Sequence, residues 1–85
     1  MRHDIKIGVD FANAVLSKEK TFEVRRNDRG YQKGDAVVFR VIDRDGNELP
    51  EHPLNADVYE ITYVLSGWGL RDGFVAFGIK EALPF

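Results

Sequence analysis

Five short runs of this chain alternate with period two, and turn-forming residues separate most of them. They are HDIKI (3–7), TFEVRR (21–26), AVVFRVI (36–42), VYEITYVLSG (58–67) and FVAFGIK (74–80). In an extended chain successive side chains leave on opposite sides, so each run reads as a strand with two distinct faces. Ile5 and Ile7 mark a buried face in the first run, and Val75, Phe77 and Ile79 alternate with Phe74, Ala76 and Gly78 in the last. In TFEVRR, Phe22 and Val24 point one way while Thr21, Glu23 and Arg25 share the other. AVVFRVI is rich in β-branched residues and reads as a strand buried on much of both faces. The fourth run sets Tyr59, Ile61, Tyr63 and Leu65 against Val58, Glu60, Thr62 and Val64.

Only one segment has helical spacing. Asp10 is a candidate N-cap; Phe11, Ala14, Val15 and Lys18 form a stripe with Ala12 and Leu16 beside it, predicting a helix to about Lys18. No βαβ alternation demands a parallel sheet. The elements predict a mainly β (α+β) fold, a small and mostly antiparallel β-barrel of five to six strands with one N-terminal helix.

The connections carry their own signals. NDRGYQKGD (27–35) is a basic loop rich in turn formers. DRDGNELPEHPLNAD (43–57) has a turn at Asp45–Gly46 and then two prolines, fitting an irregular acidic connection or a poor edge strand without chemistry. SGWGLRDG (66–73) is a glycine-rich loop around the single tryptophan, and the closing EALPF frays or docks through Phe85.

Eighty-five residues suffice for one core, so residues 1–85 are expected to form a single domain. The absence of cysteine excludes disulfides and thiolate chemistry. No run has the length of a membrane span or the form of a signal peptide, which predicts a cytoplasmic protein with no membrane partner. His3 and His52 stand far apart without metal-ligand spacing, so no metal is expected. Gly67, Gly69 and Gly73 match neither a dinucleotide fingerprint nor a phosphate loop, and no cofactor is expected.

Charge is unevenly distributed. Residues 1–40 hold nine Lys/Arg against six Asp/Glu, whereas residues 41–85 hold three against eight. Any polyanion must therefore meet a local site rather than a basic surface. Lys20, Arg25, Arg26, Arg29 and Lys33 all fall within residues 19–35. Lys20, Thr21, Glu23 and Arg25 can converge on one strand face, where guanidinium, carboxylate and hydroxyl together suit a polar planar ligand such as a nucleobase. The alternative is a solvated face with weak cross-strand pairs. Arg26, Arg29 and Lys33 can meet phosphates or serve solubility. Trp68 can stack on a base or plug a small barrel.

The segments HDIKI, FANAVLSKEKTFEVRRNDRGYQKGD and ITYVLSGWGLRDGFVAFGIK together resemble the small bacterial and phage-type ASCH-like domains, of the activating signal cointegrator homology group in the PUA-like superfamily. The most specific part is Lys20, Thr21, Glu23 and Arg25 followed by Asn27-Asp28-Arg29 and Gly34-Asp35. The resemblance implies a PUA-like barrel whose cleft between the first helix and the next strand binds RNA or a nucleotide-like molecule. It also implies an alternative, an amidohydrolase acting on an acylated nucleoside such as acetylated cytidine, with Lys20 as activator or base, Glu23 as acid/base and Thr21 as nucleophile. In that pattern the threonine stands two positions before the strand arginine, where this chain has Glu23.

The leading expectation is a nonenzymatic RNA- or nucleotide-binding module using Lys20, Thr21, Glu23, Arg25, Arg26, Arg29, Lys33 and Trp68, monomeric or weakly dimeric. A protein-interaction module presenting Trp68 and the acidic 43–60 segment is the third reading.

Overall fold

The computed structural model describes residues 1–82. The chain runs through β1 (Arg2–Gly8), α1 (Val9–Leu16), β2 (Phe22–Arg26), β3 (Ala36–Ile42), β4 (Val58–Ser66) and β5 (Phe74–Glu81), with a 3-10 turn at Pro53–Ala56. The five strands form one sheet in the order β1-β3-β4-β5-β2. The sheet curls into a half-barrel. Three of its pairings are antiparallel, but β1 and β3 are parallel, with α1 and β2 in the crossover between them. The two edge strands, β1 and β2, are not paired with each other, so the expected barrel is open along that seam.

The inward rows make the core. Ile5 and Ile7 of β1, Val37, Phe39 and Val41 of β3, Ile61 of β4, and Val75, Phe77 and Ile79 of β5 are buried together. Each such side chain contributes about 1.5–3 kcal/mol on leaving water. Leu54 of the 3-10 turn closes one end and is fully buried, so the irregular segment after β3 supplies core as well as connection. β3 is buried mainly on one face, because Arg40 interrupts its other row.

Two local expectations change. The helix is N-capped by Gly8 rather than Asp10 and ends at Leu16, because Lys18 adopts the left-handed conformation (φ 68°) that terminates helices. Its buried stripe is Ala12 and Val15, while Phe11 faces outward. In β4 the strict alternation breaks at a bulge between Ile61 and Tyr63. One extra residue shifts the phase, so Val64 packs on the core and Tyr63 turns to solvent. Gly78, across from the bulge, has no Cβ because the Thr62 hydroxyl occupies that space. The proposed docking of Phe85 lies outside the described residues.

Candidate functional site: a cleft at the open seam

β2 binds β5 with Glu23 opposite Phe77 and Arg25 opposite Val75. Directly opposed residues share a face, so Glu23 and Arg25 point to the inside of the half-barrel, while Phe22 and Val24 point outward. The exposures agree: Glu23 is 3% exposed, and Phe22 and Val24 are each 49% exposed. The polar row sequence reasoning placed on one face is therefore the inner row.

The Glu23 carboxylate is satisfied from both sides. Its Oε2 pairs with the Lys20 ammonium. Its Oε1 accepts from Arg25 Nε at 3.0 Å and from Arg25 Nη2 at 2.8 Å. Lys20 also donates to the Phe22 carbonyl at 2.7 Å and lies within cation–π range of the Phe11 and Phe22 rings. Arg25 Nη2 reaches across the seam to the Lys6 carbonyl of β1 at 2.6 Å. A guanidinium thus takes a carbonyl that a sixth strand would otherwise have claimed.

Above this cluster opens a cleft of about 660 Å³ between the end of β1, α1 and β2. Ile7, Phe11, Phe22 and Val24 provide its apolar walls, and Lys6, Glu19, Lys20, Glu23 and Arg25 its polar groups. Apolar surfaces enclosing a few converging donors and acceptors are the usual make-up of a small-molecule site.

On the other side of Arg25 lies a second depression of about 430 Å³. Arg29 borders it and donates from Nη1 to the Asp4 carbonyl at 2.7 Å, the second β1 carbonyl covered by an arginine. Tyr31 forms part of its lining and stacks inside the half-barrel between His3 and Phe77, with ring centroids 4.7 and 4.8 Å away. Burial pushes the Tyr31 phenol up, outweighing the lowering effect of Arg25 and Arg29, so its hydroxyl is protonated at neutral pH. Beneath it His3 Nε2 meets Asp35 Oδ2 at 2.8 Å, both residues buried.

The other expected site residues separate. Thr21, which directly precedes β2, opens onto a different depression with Val15, Leu16, Tyr59 and Ile79, and Lys20 lines both that depression and the cleft. Arg26 borders the second depression while its guanidinium stacks on Phe74. Lys33 lines none of these depressions. Trp68 neither plugs the barrel nor lines any of these depressions; it is 89% exposed on the β4–β5 turn, with a φ of 53°. Sequence reasoning did not single out Lys6, Phe11, Tyr31 or Arg40 for the site. Of these, Arg40 carried a signal, as the one charge inside AVVFRVI.

Among the described residues no group of three or more His, Cys, Asp and Glu side chains is placed to hold a metal ion. Nor is any helix there long and apolar enough to cross a membrane. What the geometry defines is a half-barrel domain with a charged seam and a cleft at its edge. The family model DUF3850, described as a domain of unknown function, matches residues 2–79, and the chain belongs to that family. No curated protein matches the chain.

Proposed function

We propose that this domain binds a nucleotide-type ligand, either a free nucleotide or a residue of RNA, with the planar base in the cleft between α1 and β2. The observation that carries this reading is the inverted polarity of β2. A carboxylate only 3% exposed sits at an apolar-walled cleft with two cations fixed on it. Phe11 and Phe22 offer ring surface for stacking, Lys20 and Arg25 offer donors, and the carboxylate can accept from an exocyclic amino group. The resemblance to ASCH-like, PUA-like domains supports the same cleft.

Titration of the labelled protein with ribonucleosides and short single-stranded RNA, followed by NMR shifts of the residue 20–25 amides, tests this. Saturable shifts at these residues, abolished in Arg25→Ala, are expected. Trp68 fluorescence is a poor reporter, since that side chain stands on a turn outside the cleft. No shift with any of these ligands would discard the reading.

A second reading, hydrolysis of an acylated nucleoside, is favoured by one contact, the pairing of Lys20 with Glu23 inside the cleft. Thr21 faces a separate depression, so the attacking group would be water, adding to the acyl carbon as the amine leaves with a proton. Chromatography after incubation with acetylated cytidine decides it: without release of cytidine and acetate, this reading falls.

A further inference from the structure

We propose that the second depression is a phosphate subsite, so that the preferred ligand is a phosphorylated nucleoside whose base occupies the cleft and whose phosphate lies beyond Arg25. The proposal rests on the nucleotide reading of the cleft. Lys6 and Arg25 line both depressions, so the two are neighbours across a single pair of side chains. Five cationic side chains border the second one, against the two carboxylates of Asp4 and Asp28.

Most of that positive charge is uncompensated. Among the described residues Lys6, Arg26 and Arg29 form no ion pair with a carboxylate. Arg29 is held by a neutral acceptor, the Asp4 carbonyl, which fixes the guanidinium without cancelling its charge. Arg25 commits Nε and Nη2 to Glu23 and Lys6, and Arg40 commits Nε and Nη2 to Glu48, so each keeps Nη1 donors for an oxyanion. Tyr31, whose hydroxyl is a neutral donor, is also part of the lining. Pre-positioned guanidinium groups with spare donors suit a phosphate, whose oxygens accept from several at once.

The test uses the full chain, the common ribonucleosides, their 5′-monophosphates and inorganic pyrophosphate, with calorimetry for affinity and NMR of arginine Nε–Hε signals for location. The variant is Arg29→Gln/Arg40→Gln, because both residues line the second depression and neither lines the cleft. Monophosphates are expected to bind about 10- to 100-fold tighter than nucleosides, the range of one charge-assisted hydrogen bond. The double variant should lose that gain, keep its nucleoside affinity and show a shallower salt dependence. Pyrophosphate shifting the Arg29 and Arg40 signals when nucleosides leave the cleft unmoved would support the subsite and reject the nucleoside reading. Nucleosides binding in the cleft with no gain for monophosphates, or a gain that survives in the variant, would overturn the subsite and leave that reading standing.

Discussion

β3 and β2 obey the same period-two rule with opposite polarity. In β3, a central strand, the inward residues Val37, Phe39 and Val41 are at most 1% exposed, and the charge, Arg40, faces out. In β2, an edge strand, Glu23 and Arg25 face in while Phe22 and Val24 face out. The difference follows from what each inner row meets. β3 has a strand on each side, β1 and β4, and its inner row packs within the apolar core. β2 faces a gap, and across it stand β1 carbonyls without strand partners, which long donors such as Arg25 and Arg29 can reach. Replacing a buried charge cluster by an apolar filling of the same volume is often neutral or even stabilising. Stability alone therefore does not call for the charged row of β2, and this is the physical ground of the proposal that it serves binding.

The bluntest challenge to this contrast compares outward and inward apolar residues. Phe39→Ala should destabilise by about 3–5 kcal/mol, the cost of a large cavity in a closed core. Val24→Ala, on the exposed row of β2, should stay within about 0.5 kcal/mol. Urea denaturation measures both. Equal losses would mean that β2 buries its apolar row after all.

A finer challenge concerns the cluster itself. Glu23→Ala leaves Lys20 and Arg25 facing each other with side-chain exposures of only 15% and 26%, and should cost on the order of 2–3 kcal/mol, below a fully buried pair because water still reaches both cations. Replacing the whole cluster, as Lys20→Met/Glu23→Leu/Arg25→Met, should recover stability to within about 1 kcal/mol of the natural protein while ligand binding disappears. If the triple variant is as unstable as Glu23→Ala, the ions are structural and the contrast with β3 loses its functional meaning.

How far this was legible in the sequence depends on the range of the interactions involved. The five strands and one helix were legible because period and turn chemistry are local. β3 was anticipated residue for residue over 36–42, and the residues of the charged cluster, Lys20, Glu23 and Arg25, stood out by type and spacing. Which face of β2 is inner was not legible, because it is set by the register with β5, fifty residues away in the chain. The β4 bulge escaped for the same reason: Val58–Ser66 alternates smoothly as a string, and only pairing with β5 around Gly78 shows the extra residue. Lys6 and Arg40 entered the site only through the parallel β1–β3 pairing, which sets them side by side.

The other edge strand provides the smallest and sharpest test. β1 also turns a polar residue inward, His3, but its partner Asp35 is enclosed with it and neither lines a cleft. If buried polarity differs in role between the two edges, this pair serves only stability. Burial pushes the Asp35 carboxyl up, but hydrogen bonds from His3, the Gln32 amide at 3.1 Å and the Met1 ammonium outweigh it, and its pKa lies below the ordinary aspartate value. A depressed folded-state pKa contributes stability that is complete above the unfolded value of about 3.9 and is lost as pH falls through the lower folded value. The natural protein should thus exceed Asp35→Asn by about 1–3 kcal/mol at neutral pH, the cost of spoiling a buried hydrogen-bonded group. That margin should hold as the pH falls toward the unfolded aspartate value and then shrink in more acidic solution. Denaturation curves from pH 7 to pH 2 give the margin, and ligand titration at neutral pH should find the affinity of Asp35→Asn unchanged. A loss of affinity with the fold intact would join this pair to the seam and erase the distinction between the two edges.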